Sequence, residues 1–145
     1  MLMKKFLFIW LINLLTLPLV CSQQISVELF AQDSRVGMQR GYGVYYANYR
    51  GWGAGLVFQS SDGKSAEITG SKYPFYGVEL RIPVQQCGRL RSHFAPRIGI
   101  VNRNFLVIIP EIQTEYLVGD HFGLGVGAGI RVREAAISIK AIFKP

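Results

Sequence analysis

Ser92 and His93 stand side by side in "RLRSHFAPRIGI", and a serine next to a histidine is the first place to look for nucleophilic chemistry. Glu79 or Glu111 could complete a His–Ser–acid group in which the imidazole takes the hydroxyl proton. The surrounding pattern argues against it. Apolar and polar residues alternate here, and neighbours on a strand point to opposite faces, so the two side chains cannot readily hydrogen-bond. The pair reads as polar residues near a rim. His121 lies beside Asp120 in "VGDH", but two histidines far apart, without cysteine or acidic ligand spacing, do not specify a metal. Cys87 in "QQCGR" reads as a turn residue rather than a reactive thiol. The glycines of "HFGLGVGAGIRV" precede no lysine–serine pair and no helix, so they form no phosphate loop. Lys64 in "SSDGKSAEITG" fails the same test. No catalytic, cofactor-binding or metal-binding residue is assigned, and the chain reads as a non-enzymatic protein without a cofactor.

The elements that must position these residues begin after a distinct leader. "MLMKK" carries two lysines, and "FLFIWLINLLTLPLV" follows as a nearly unbroken apolar run. Val20, Cys21 and Ser22 then supply modest residues where a signal peptidase reads. The run is shorter than the roughly 20 residues of a spanning helix, so residues 1–22 are expected to be a cleaved secretory signal peptide, with 23–145 as one domain. An uncleaved anchor is the alternative, and acylation at Cys21 is a further one, although Val20 is not the usual residue before a lipidated cysteine. Cleavage after Ser22 leaves a net charge of +5, from 14 basic and 9 acidic residues, and Cys87 as the single cysteine. An internal disulfide is then impossible. Export and scattered arginines also exclude nucleic acid as a partner.

Period 2 fits the mature chain nearly everywhere. In "HFGLGVGAGIRV" the even positions are Phe122, Leu124, Val126, Ala128, Ile130 and Val132, and the odd ones are four glycines, then Arg131. In "FLVIIPEIQTEYLV" Leu106, Ile108, Ile112 and Tyr116 oppose Ile109, Glu111, Gln113 and Glu115. Eight strands are predicted, at about 25–31, 41–49, 51–59, 75–84, 90–100, 105–117, 121–132 and 135–143. Tight joints ("NYRG", "QQCGR", "VGDH") contrast with long polar ones near 32–40 and 60–74. An even number of meandering strands puts both mature ends on the same side.

Alternation does not say which face meets which solvent. The polar face carries Gly41, Gly43, Gly51, Gly53, Gly55, Gly77, Gly99, Gly123, Gly125, Gly127 and Gly129. Glycine on a wet strand contributes no packing. In a narrow eight-stranded barrel it leaves room for long neighbours. The same face holds Glu28, Glu79, Arg81, Arg91, Arg97, Glu111, Glu115, Arg131 and Lys140, a mixture of signs that a closed lumen would need. Tyr42, Trp52, Phe58, Tyr76, Phe94, Tyr116, Phe122 and Phe143 lie near the ends of the apolar faces, where aromatics anchor a membrane boundary. Pro83, Pro96 and Pro110 cannot donate to a ladder and are expected at strand ends or bulges, with Pro96 or Pro110 shortening its strand.

The residues "YGVYYANYRGWGAGLVFQS", "IPEIQTEYLVGDHFGLGVGAGIRV" and "AISIKAIF" give the chain a pattern that resembles the small eight-stranded outer-membrane barrels of Gram-negative bacteria, the OmpA/OmpX-type class. The resemblance covers about residues 25–143. It implies an all-β, antiparallel, up-and-down transmembrane β-barrel preceded by a signal peptide. It also implies outer-membrane location, outer-membrane lipids and the barrel-assembly machinery as partners, and an unidentified extracellular partner. Members end in an aromatic-terminated strand; here Phe143 is followed by Lys144 and Pro145. The expected role is structural or surface-interacting, with a plugged lumen. Two rivals stay open: a soluble periplasmic β-barrel or sandwich binding a small apolar ligand, and a lipid-modifying barrel enzyme. The orientation of Leu124, Val126 and Ile137 separates the membrane reading from the soluble one.

Overall fold

Alternating apolar and small or polar residues, with no helical stripe, leave the backbone one way to satisfy its hydrogen bonds: strands paired edge to edge. A computed structural model of the chain describes residues 24–34, 37–61, 74–101, 104–131 and 134–145. The expected leader, Cys21, Lys64 and most of the second long joint lie outside the described residues. The described residues form ten strands: β1 (Gln24–Ser34), β2 (Gln39–Ala47), β3 (Gly53–Ser61), β4 (Phe75–Cys87), β5 (Leu90–Phe94), β6 (Arg97–Val101), β7 (Phe105–Ile109), β8 (Glu111–Leu117), β9 (Phe122–Arg131) and β10 (Glu134–Phe143).

These form eight staves of one closed antiparallel barrel. Two predicted strands are interrupted, one at Ala95-Pro96 between β5 and β6, the other at Pro110 between β7 and β8. The broken halves stay in line, because β5 and β6 both pair with β4. Each proline still accepts across the break: Leu80 N–H donates to Pro96 O at 3.0 Å and Ile130 N–H to Pro110 O at 3.1 Å. Pro83 sits at an irregularity where the β4–β5 register shifts. β1 pairs with β10 and β3 with β4, so the sheet closes.

Two predicted boundaries need correction. β4 runs on to Cys87, so "QQ" and Cys87 belong to the strand, and the hairpin turns on Gly88 and Arg89, with Gly88 in the left-handed region (φ 57°). The first long loop is also shorter than 32–40, because ladder pairing persists through Gln32↔Gln39. Both ends of the described chain and the tight joints 48–52, 88–89 and 118–121 lie at one end of the barrel. The strand ends that flank 35–38 and 62–74 lie at the other.

Register fixes the geometry. A circuit from Ser34 runs through Ala136, Gly129, Glu111, Ala95, Arg81, Gly53 and Ala47 and returns to β1 at Gln24, ten residues from its start. With eight staves that stagger tilts the strands by about 40°. Leu124, Val126 and Ile137 all point outward, at 49%, 57% and 63% exposure. The opposite face is inside: Glu28, Glu79 and Arg97 have no exposure at all.

The interior is more apolar than the polar-face reading anticipates. Phe30, Tyr45, Val57, Phe75 and Ile109 form a buried cluster, with Val101 and Val107 against it. The glycines make this fit. A Cβ on Gly43 or Gly55 would run into the Tyr45 ring, and one on Gly77 or Gly99 would meet the Phe75 ring at 2.6 Å. A Cβ on Gly127 would strike the Glu111 carboxylate and Ser138 Oγ, whereas at Gly125 the nearest atoms lie at an ordinary 3.5 Å.

Gly127→Ala is therefore expected to cost about 1–3 kcal/mol through overpacking. Gly125→Ala should be neutral or stabilising by up to about 1 kcal/mol. Urea titration in lipid vesicles, followed by Trp52 fluorescence, compares the two; equal tolerance would remove the packing role assigned to these glycines.

Candidate functional site

Inward positions on six of the barrel's eight staves bring the ionisable residues to one place. β1 supplies Glu28, β2 Tyr45, β4 Glu79 and Arg81, β5 His93, β6 Arg97, β8 Glu111, Gln113 and Glu115, and β10 Ser138 and Lys140. Glu79 is the hub. Its carboxylate meets Arg97 Nε at 2.8 Å, Arg81 Nη2 at 3.0 Å and Lys140 Nζ at 3.4 Å, and it accepts from Gln113 Nε2 at 3.3 Å and Tyr45 OH at 3.4 Å. Arg81 also reaches Glu28 at 2.6 Å and Glu115 at 3.2 Å. Lys140 also pairs with Glu28 at 3.5 Å, and Arg97 Nη2 with Glu111 at 2.9 Å. The other Glu111 oxygen accepts from Ser138 Oγ.

Aromatic faces cover the flanks of the guanidinium groups. Arg81 lies 3.8 Å from the Tyr45 ring centroid and Arg97 4.6 Å from that of Phe30. Stacking lets a weakly hydrated guanidinium be buried with less loss than an ammonium. Burying these ions costs several kcal/mol each unless partners surround them, so the network stands or falls together.

The sequence places these residues on one face; the structure shows which of them touch. Gln32, Gln39 and Gln59 add a buried amide layer that charge counting overlooks, with Gln59 Nε2 donating to Gln32 Oε1 at 2.8 Å. Alternation could have found them, since all three occupy inward positions. Arg91 is only partly buried and donates to Gln24 Oε1 at 3.1 Å near the end that holds the chain termini.

The other candidates fall as follows. His93 is inside, 2.9 Å from Gln113 Oε1 and 3.3 Å from Glu115. Ser92 occupies the opposite face of β5, with its hydroxyl 3.1 Å from Thr114 Oγ1. The strand separates the two as alternation requires. His121 Nδ1 lies 3.0 Å from the Lys144 carbonyl at the surface. Cys87 is a free, exposed thiol. Among the described residues no cluster of three or more His, Cys, Asp or Glu is arranged to hold a metal ion. A cavity of about 40 Å³ opens at the end near the chain termini, lined by Gln24, Arg81, Arg91, His93, Glu115 and Lys144 among others. It has room for little more than water. Burial, reinforced by nearby Arg91, holds the Lys144 ammonium below the ordinary lysine range.

No family of known sequence pattern matches the chain, and no characterised protein matches it by sequence. Solved structures do. A de novo designed transmembrane β-barrel superimposes with a TM-score of 0.71 at 13% identity, over 84% of this chain and 95% of its own. The solution structure of the designed barrel TMB2.3 gives 0.67 at 10% identity, over 83% and 93%. The crystal structure of Neisserial surface protein A gives 0.47 at 13% identity, over 85% and 96%. The shared property is the fold: a closed, eight-stranded antiparallel barrel of the kind found in transmembrane β-barrels.

Because Glu79 holds three cations, Glu79→Gln is expected to destabilise the barrel by about 3–5 kcal/mol. Adding Lys140→Met to it should cost less than the two single changes together, with coupling above about 1 kcal/mol. Urea midpoints of the four proteins test this, and strict additivity would show that the two groups do not interact.

Proposed function

We propose that this chain is an integral outer-membrane barrel, exported by a cleaved leader. It is non-enzymatic, its lumen is closed to diffusion, and its role is structural or surface-interacting. The observation that carries the reading is sidedness. Leu56, Leu106 and Ile139 are 71%, 70% and 64% exposed, while the carboxylates and guanidinium groups are enclosed. A protein in water does the reverse, and a single water-soluble domain rarely exposes a continuous apolar belt. A soluble barrel holding an apolar ligand would need Leu124, Val126 and Ile137 inside.

The dimensions agree. On β9 the outward run Phe122, Leu124, Val126, Ala128, Ile130 advances eight residues. That is roughly 26 Å along the strand and about 20 Å along the barrel axis after tilt, close to the apolar band of membrane barrels. Exposed Asp33, Arg40 and Ser60 end the belt on the side of the long joints. Trp52, Tyr116, and the Phe122–Phe143 pair with ring centroids 5.4 Å apart border it on the other. Tyr42, Phe58 and Tyr76 form a tilted row across β2, β3 and β4.

In this reading the long joint 62–74 and the short joint 35–38 face outward and carry whatever contact the protein makes. Loops on a rigid scaffold are the usual place for it. The Glu79 network and the Phe30–Phe75 cluster that fill the interior support a lumen closed to diffusion. Lipids and the barrel-assembly machinery are the partners this role requires.

Expressed in a Gram-negative host, the protein should stay with the outer-membrane fraction after an alkaline wash and require detergent for release. It should show no channel steps in a planar bilayer. Leu56→Arg or Val126→Arg should destabilise it in vesicles by about 2–4 kcal/mol. A monodisperse protein in plain buffer would overturn the membrane reading.

A further inference from the structure

Among the described residues, every interior cation but one has a carboxylate. Arg81 has Glu28, Glu79 and Glu115; Arg97 has Glu79 and Glu111; Lys140 has Glu28 and Glu79. Arg131 has none. It ends β9 at the mouth that carries the long joints, is 4% exposed, and its Nε and Nη1 are covered by protein yet meet no acceptor. Among the described residues no carboxylate pairs with it. Glu111, on the neighbouring stave, is held by Ser138 and Arg97. The charged group it does feel is Arg97, of the same sign.

Among the described buried residues the charges balance, with Glu28, Glu79, Glu111 and Glu115 against Arg81, Arg97, Arg131 and Lys140. Balance over the whole does not satisfy Arg131, because attraction falls with distance and a buried guanidinium needs acceptors at its own N–H groups. Further donors wait at the same end. Gln39 opens β2 fully buried, with both side-chain amide atoms unpartnered, and Gln32 Nε2 is likewise unpartnered. Gln39 and Gln59 leave Oε1 unpartnered there as well. A guanidinium fork and amide N–H groups at one mouth complement a tetrahedral oxyanion.

We propose that Arg131, with Gln39 and Gln32, forms an anion-binding site at the long-joint mouth of the barrel, selective for phosphate or a phosphate monoester. The phosphate could be free or the headgroup of a lipid. The site itself stands on the interior geometry; only a lipid source depends on the membrane reading.

The test uses the ¹⁵N-labelled protein in micelles and follows arginine Nε–H resonances, with that of Arg131 identified by its loss in Arg131→Lys. Inorganic phosphate is titrated against chloride at constant ionic strength. A saturable shift of the Arg131 resonance is expected, with that of carboxylate-locked Arg81 unmoved. The urea midpoint should rise with phosphate in the native protein and not in Arg131→Gln. In a second arm, micelles containing phosphatidic acid are compared with micelles containing diacylglycerol of the same chains. A shift with phosphatidic acid alone assigns the site to a lipid phosphate, and one with inorganic phosphate alone to a free anion. No saturable shift with either probe overturns the proposal. So does a Glu134→Gln variant that moves the resonance when phosphate does not, because Glu134, opposite Arg131 in the β9–β10 ladder, would then be its counterion. The native titration needs no variant to fold, and its failure would leave the detergent and fractionation results untouched.

Discussion

The width of the lumen governs everything else in this molecule. Eight staves with a ten-residue stagger enclose a space just wide enough for side chains. Each inward residue is therefore sized against the one across from it. Tyr45 lies over Gly43 and Gly55, Phe75 over Gly77 and Gly99, and Glu111 over Gly127. The glycine rows are the counterpart of the large interior groups, and neither makes sense alone.

Filling so narrow a space with ions demands mutual neutralisation. Glu79 sits where β4, β6 and β10 bring Arg81, Arg97 and Lys140 together, so a single carboxylate cross-links three staves through the centre. Such an arrangement gains little over an apolar core of the same volume, but removing one member leaves an uncompensated charge. The network thus ties barrel closure to register, since a one-residue slip in any stave would send its ions to the outer face. Lumen chemistry and barrel geometry are one constraint seen twice.

The two ends differ in consequence. The mouth nearer the chain termini holds Arg91 and Lys144 on the neutral amide of Gln24, beside tight turns shaped by Asn48, Gly51 and Gly88. The opposite mouth holds buried amides and the unaccompanied Arg131. An interior that pairs its charges at the middle and leaves a cation unpaired at one rim differs in kind from one end to the other.

The sequence by itself determined the periodicity, the two faces and the eight staves, though not their division into ten strands, because side chains alternate with period 2 whatever the strands pair with. It also placed Ser92 and His93 on opposite faces and marked Pro83, Pro96 and Pro110 for strand ends or bulges, since none can donate to a ladder. Which face turns inward was argued from the glycines, and the outward Leu124, Val126 and Ile137 bear it out. Tertiary structure alone decided which ions meet, since Glu79 and Lys140 are brought together by a ring closure that no local pattern encodes. It decided as well that Pro96 and Pro110 break their strands without opening the wall, because their carbonyls still accept from Leu80 and Ile130. And it left Arg131 without a carboxylate among the described residues, which the charged face of a strand cannot foretell.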